Sequence, residues 1–238
     1  MSSRSRSGCV CASSPRSGRC RRSAEPVASP RPTLILPLFP LPDATLFPHT
    51  LLPLHVFEAR YRALVVDALA RDHRLAVVRL RPGFEASYAG KPAVHEVAGA
   101  GEIVSWERLA NGRYNILVKG EWRVRLARER PSDTLYRLAE AHRLEDGPPA
   151  ADAAPVLARV RAACARLLAA LQRPADLLDT ALAEGQGPGV IADRVAAAVL
   201  PDGGLRQELL ETLDVDRRLA RLAGALDALV RELSGGRG

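Results

Sequence analysis

Lysine is nearly missing from this chain. Of 34 basic residues only Lys91 and Lys119 are lysines, and the rest are arginines. Methionine occurs once, at the start, and aromatic residues make up 4% of the whole. The phosphate-cradling pattern G-x-x-x-x-G-K-[ST] is absent. Its nearest approach, Gly90-Lys91, runs into Pro92, which has no hydroxyl to hold magnesium. ATP hydrolysis by a phosphate loop is therefore excluded within these 238 residues. No G-x-S-x-G occurs, and beyond residue 31 serine is confined to Ser87, Ser105, Ser132 and Ser234. His49, His55, His73, His95 and His142 show neither H-x-H nor H-E-x-x-H spacing. His55 precedes Glu58 by three residues, and a histidine bonded to backbone is preferred there over a metal pair. The residues call for no metal, no cofactor and no catalytic centre.

Cysteine is also scarce. Cys9, Cys11 and Cys20 lie near the amino terminus, in a spacing that matches no common zinc pattern and has no histidine nearby. Cys164 is left without a thiol partner, so a disulfide framework is excluded, which suits a reducing cytoplasm. It falls on an apolar helical stripe, where a thiol behaves as a small hydrophobe rather than a nucleophile. No apolar run approaches the ~18 residues needed to span a bilayer.

The net charge of +7 and the basic isoelectric point suggest a polyanion partner until the charge is located. Seven arginines in residues 1–31, against Glu25 alone, account for nearly all of it. The remaining chain is close to neutral. The segment 1–31 is rich in Ser, Arg and Gly with little to bury, so it is expected to be disordered. Its Arg- and Ser-rich, acid-poor composition also fits a targeting peptide, although it has no apolar face. A start downstream of Met1, near Val27, is a third reading.

What is abundant is apolar sequence broken by proline. Leu34–Tyr61 holds Pro37, Pro40, Pro42, Pro48 and Pro53 in a run of Leu, Ile, Phe and Val. Proline lacks a backbone donor and fixes φ, which rules out a helix interior or an interior strand of a regular sheet. Short edge strands kinked at each proline, closing a small β-structure, are expected. A helix then begins near Phe57, with Phe57, Tyr61, Leu64, Val65, Ala68 and Leu69 along its buried face. Glu58 falls in its first turn, where a carboxylate complements the helix dipole. Arg60, two residues on, should not face Glu58 and is expected to reach carbonyls of the proline-kinked strands.

Strands follow at 75–80, 101–106, 113–119, 122–128 and 135–144. Asn111-Gly112 signals a hairpin turn because both residues tolerate positive φ. Alternation across Trp122–Arg128 puts Trp122, Val124 and Leu126 inside and Arg123 and Arg125 in water. Residues 145–155 read as a linker, and everything beyond reads as helix. Pro155 suits a helix start, Pro174 and Pro201 suit helix ends, and Asp214 suits an N-cap.

LPLFPLP at 36–42, LFP at 46–48 and LPLHVFEARY at 52–61 resemble the amino-terminal substrate-binding domain of Lon-type ATP-dependent proteases. NGRYNILVKGEWRVRL at 111–126 and QELLETLDVDRRLARL at 207–222 are similar to the same family in order and spacing. Two departures leave the fold intact: Asn111 stands for the usual Asp, and Val97–Glu102 replaces a common Gly-Thr-x-Ala. The resemblance implies an α+β fold, with a β-rich PUA-like pseudo-barrel carrying one long helix, followed by a helical bundle. The implied boundaries are a tail at 1–31, the β-rich domain at 32–145, a linker at 146–154, helices at 155–233 and a tail at 234–238. Pro40, Pro53, Phe57, Glu58, Arg60, Tyr61, Gly112, Arg113, Tyr114 and Gly120 form its structural motif, with Phe57–Tyr61 a lock between helix and barrel.

Lon-type peptidases use a Ser–Lys dyad, for which no matching motif exists here. The resemblance thus implies a stand-alone, cytoplasmic, non-catalytic protein that binds unfolded or partly folded polypeptides. A Lon-type protease is the candidate partner, with no membrane and with nucleic acid disfavoured. Phe84 and Tyr88 in the 83–96 loop are the candidate client contacts, with local loop packing as the competing account. The family's β-domain is similar to PUA-type RNA-binding modules, so RNA binding through an Arg123/Arg125 face is the alternative. Arg128 and Arg130 extend that face. Glu121, Glu129 and Asp133 interleave with it and favour a solvated strand instead.

Overall fold

Staggered pairing explains how a proline-rich strand sits inside a closed sheet. β1 (Leu34–Leu41) lies between β3 (Arg74–Arg79), parallel to it, and β6 (Arg137–Leu144), antiparallel. It is not the edge strand expected from its prolines. β6 pairs with Leu34–Leu38 and β3 with Leu38–Leu41, so only Leu38 has a partner on both sides. Pro37 and Pro40 each fall where the strand has one neighbour, and a missing donor there need not interrupt a ladder. Pro53 does lie on an edge: β2 (Leu51–Val56) pairs with β5 (Tyr114–Arg130) alone.

The computed structural model describes residues 32–85, 88, 90–149 and 152–235, which belong to one compact unit. The arginine-rich segment expected to be disordered, with Cys9, Cys11 and Cys20, lies outside the described residues. The six strands run in the order β2-β5-β4-β3-β1-β6, where β4 is Val97–Arg108. A further β5–β6 pairing closes β1, β3, β4, β5 and β6 into a ring. β5 is one bent strand of 17 residues, where two strands were expected. It pairs with β2 through its first third, with β4 up to Arg125 and with β6 from Arg123, bending at register shifts. Inside the ring lie small side chains, Ala76, Ala98, Ala100, Ala139 and Ala141, beside Leu36, Leu38, Val78 and Val124. A closed ring of few strands is filled by such small and aliphatic side chains.

A second core forms where α1 (Ala59–Leu69) covers the opposite face, with Tyr61, Leu64, Val65 and Ala68 buried against Val77, Ile103, Ile116 and Val118. The third core belongs to the helices. α2 (Ala154–Ala170), α3 (Pro188–Val199), α4 (Gly203–Glu211) and α5 (Val215–Gly235) pack around Cys164, Ile191, Val195, Leu209, Leu219 and Leu226. Ser234 and Gly235 belong to α5 rather than to a terminal tail. Residues 175–178 form only a short 3-10 helix, within a stretch expected to be helical throughout. Asp214 accepts from the Arg217 N–H at 2.9 Å, and Asp202 from the Leu205 N–H at 2.5 Å, so both helix starts are capped.

The two hydrophobic layers are stitched by the turn after β1. Leu46 enters the core under α1 while Phe47, the next residue, enters the helical core. Their carbonyls lie against the backbone of β4 and β5, and glycine is required there. A Cβ on Gly99 would sit 1.8 Å from the Leu46 oxygen, and one on Gly120 2.0 Å from the Phe47 oxygen. The His49 N–H donates to the Gly120 carbonyl at 2.9 Å, and the Gly120 N–H to the Thr50 carbonyl at 2.9 Å.

Candidate functional site

Glu58 is the N-cap of α1, in extended conformation at φ −66° and ψ 139°, and caps no backbone group with its side chain. Its carboxylate turns outward instead. Arg60 Nε donates to one oxygen at 2.9 Å, and the Tyr88 hydroxyl donates to the other at 2.8 Å. The pair was expected not to meet, because residues two apart diverge on a helix. Glu58 stands outside the helix, so that rule does not reach it. Arg60 Nη1 also donates to the Tyr88 carbonyl at 3.3 Å, and its guanidinium lies 5.1 Å from the Tyr88 ring and 4.7 Å from the Tyr61 ring. The contact to the proline-kinked strand is made by Tyr61, whose hydroxyl donates to the Pro40 carbonyl at 3.3 Å.

Arg60, Tyr61 and Tyr88 form one wall of a cavity of about 210 Å³, with Glu58 behind them. Leu38 and Leu80, both fully buried, lie at its base with Pro40. The facing wall is Glu129, Arg130, Ser132 and residues 134–137, with Leu135 at the rim, 69% exposed. Arg137 pairs with Glu129 and donates to the Pro92 carbonyl at 2.8 Å, which ties the wall to the 81–92 loop. The Tyr136 hydroxyl donates to Asp67 on α1 at 2.7 Å. Burial pushes the Tyr61 phenol up to about 12, and burial with the Asp67 bond does the same for Tyr136. Burial and the Glu58 bond raise Tyr88.

Of the two expected client contacts, Tyr88 lines this cavity and Phe84 does not. Neither is a fully exposed anchor: both are half-buried, with ring centroids 6.0 Å apart. Phe57, expected on the buried face of α1, is 58% exposed because the helix starts after it. It stacks on His55 at 6.3 Å beside β2. His55 Nδ1 is 2.8 Å from the Asn115 side chain, and no metal-holding group of His, Cys, Asp or Glu occurs among the described residues. In the β4–β5 hairpin Gly112 takes φ 75°, the Gly112 N–H donates to the Leu109 carbonyl, and Leu109 N–H donates to Arg113. This is a turn ending in a left-handed glycine, one residue longer than a two-residue hairpin. Tyr114, next in the chain, is buried at the start of β5.

The Arg123/Arg125 face is not a face. Arg125 is exposed, but Arg123 is 3% exposed and buried beneath the helices. Its Nη2 is 2.5 Å from Asp193 of α3, and its Nε donates to the Leu210 carbonyl at 3.0 Å. Arg218 of α5, 1% exposed, lies 3.3 Å from the same Asp193 and pairs with Asp146, which is thereby packed rather than part of a free linker. Burial pushes the Asp193 carboxyl up, while the two guanidiniums oppose it. Sequence reasoning missed Asp193, Arg218 and Asp146; the one signal was an acid on the apolar face of α3. It also missed Lys91, Leu135 and Arg137, which no local pattern distinguishes.

The closed ring with its helical layer is the architecture of a Lon protease N-terminal domain. The N-terminal domain of Mycobacterium avium complex Lon protease superposes with a TM-score of 0.62 at 21% identity, over 82% of this chain and 98% of that one. The Lon N-terminal domain protein from Xanthomonas campestris gives 0.58 at 25% identity, over 80% and 98%. In sequence, the Lon protease of Xanthomonas oryzae pv. oryzae is 28% identical over 212 residues, 85% of this chain. The chain spans 24% of that relative's length. Residues 35–228 match the model of the ATP-dependent protease La (LON) substrate-binding domain, and the chain belongs to that family. No helix among the described residues is long and apolar enough to cross a membrane.

Proposed function

We propose that this chain is a non-catalytic recognition protein that binds exposed, partly apolar polypeptide segments. The observation that carries the reading is the match of residues 35–228 to a substrate-binding family. The cavity under Tyr88 supports it, because it joins an apolar base to a polar rim. A second feature suits an extended client. β2 is paired only with β5 among the described residues, which leaves its other edge open to an added strand, with Leu51 58% exposed beside it. In this reading Phe57–Tyr61 is the lock that holds the cavity wall to α1. The ring is a PUA-like pseudo-barrel at 32–145, and the helices from 155 form a bundle over it. The protein acts in the cytoplasm as an adaptor or regulator of proteolysis, with a Lon-type protease as partner.

The test is fluorescence anisotropy of a permanently unfolded, carboxymethylated polypeptide titrated with the full chain. Saturable binding, weakened about fivefold or more by Tyr88→Ala with Leu135→Ser, is expected. Absence of binding by a folded wild-type chain rejects polypeptide recognition. Binding that ignores the double variant moves the site away from this cavity.

A further inference from the structure

The cavity under Tyr88 carries more positive charge than its structural pairs use. Among the described residues Arg60, Lys91, Arg130 and Arg137 line it, against Glu129 as the single acid. Two of these cations are committed, Arg60 to Glu58 and Arg137 to Glu129. Arg130 lies 4.0 Å from Glu140, a carboxylate that Arg128 already holds through two bonds of 2.9 Å. Lys91 is exposed and has no ion-pair partner among the described residues. In a chain with two lysines and a nearly neutral folded part, this excess is local rather than a reflection of composition.

The shape narrows what the charge can meet. At about 210 Å³ the cavity is smaller than the ~300–1,000 Å³ of sites that enclose a whole small molecule. Its base is aliphatic, from Leu38 and Pro40 of β1 and from Leu80, the residue after β3. Cations sit on the walls and rim. A complementary ligand therefore has one apolar side chain and one anion a single carbon away from it. A polypeptide's last residue has both, whereas a continuing chain has to enter and leave through the same mouth.

We propose that this cavity takes the free carboxyl terminus of a polypeptide whose last residue is apolar, the side chain against Leu38 and Leu80 and the carboxylate between Lys91 and Arg130. The inference rests on the polypeptide-binding reading above and specifies which part of the client is read. Arg60 is held in place by Glu58 and contributes the fixed positive wall rather than the movable one.

The experiment compares two fluorescein-labelled short peptides ending in leucine, identical except that one has a free carboxylate and the other a terminal amide. Each is titrated with the full chain, wild type and Lys91→Glu. The free acid is expected to bind about tenfold tighter than the amide, the scale of one charge-assisted hydrogen bond, and Lys91→Glu is expected to erase the difference. Equal affinities for acid and amide overturn the proposal and leave polypeptide binding standing. Failure of both peptides while the carboxymethylated polypeptide still binds overturns it as well, and places recognition on internal segments. Failure of all three ligands overturns this proposal and the reading beneath it together. A preference for the acid that survives Lys91→Glu is checked with Arg130→Ala; if that also leaves it intact, the carboxylate is not read here.

Discussion

Arg123 on β5 and Asp193 on α3 meet at 2.5 Å in the seam between the ring and the helices, both side chains almost fully buried. With Arg218 3.3 Å from the same carboxylate and Asp146 bridging the two arginines, the seam holds two cations and two anions without water-facing partners for Asp193. Removing one member strands the others in a low dielectric. Arg123→Met is therefore expected to lower unfolding free energy by about 3–5 kcal/mol, measured by urea denaturation. Pairing it with Asp193→Leu should return part of that loss, because Arg218 keeps Asp146. A cost under about 1 kcal/mol for the single change would sink the view that this pair holds the seam.

Gly120 is a second point of constraint, set by steric contact. An alanine there would place its Cβ 2.0 Å from the Phe47 oxygen, with the turn's own hydrogen bonds on either side. Gly120→Ala is expected to cost about 1–3 kcal/mol or more, since the backbone of the 46–50 turn has to move. Gly224→Ala in α5 is the contrast. Nothing lies within 4 Å of that position, and alanine is favoured over glycine in a helix interior by about 1 kcal/mol. Thermal unfolding of the two variants should move in opposite directions. Equal shifts would deny the close approach at Phe47.

How much of this was legible depended on whether the deciding contact was local. The Asp214 cap, the glycine turn after Asn111 and the burial of Tyr61, Leu64, Val65 and Ala68 all follow from neighbours a few residues away. Arg123 was misread because strand alternation says which residues share a side but not what covers that side, and α3 and α4 cover it. β1 was misread because proline forbids a donor, not a neighbour, and staggering lets a strand be interior along its length while each proline has one open side. Phe57 was misplaced by two residues of helix start. At the candidate site Tyr88 was readable as an aromatic in an irregular loop. Arg137 and Lys91 come from strands and turns far apart in sequence, and only the closure of the ring brings them together.

The α2–α5 contact gives a pH dependence whose sign is set by Asp227. Arg159 donates to one of its oxygens at 2.8 and 2.6 Å and Arg166 to the other at 2.6 Å. The Arg159 bond, then that from Arg166, holds the carboxyl below its ordinary value of 3.8. A folded value below the unfolded one means the contribution is present above the unfolded value and is lost as pH falls through the folded one. Both arginines are more than half exposed, so solvent screening limits it to about 0.5 kcal/mol. Asp227→Asn should therefore cost about that much near neutrality and nothing in strong acid. Denaturation curves at the two extremes check it, and an equal cost at both would assign the effect to packing.

The alkaline limb belongs to the cavity wall. Tyr61 and Tyr136, two of four tyrosines, have phenols raised to about 12 from 10.0, by burial in both and additionally by the Asp67 bond in Tyr136. A raised folded value means the stabilisation is whole below 10.0 and is lost as pH rises towards 12. The Tyr61 and Tyr136 share of phenolate absorbance should thus appear late, coinciding with loss of far-ultraviolet circular dichroism. Tyr136→Phe is expected to cost about 1 kcal/mol at neutral pH, through the Asp67 acceptor left behind, and to shrink that late rise. Should every tyrosine titrate together near its ordinary value in a chain that stays folded, the wall is open to water, and the closed base that the terminal-residue proposal needs is lost with it.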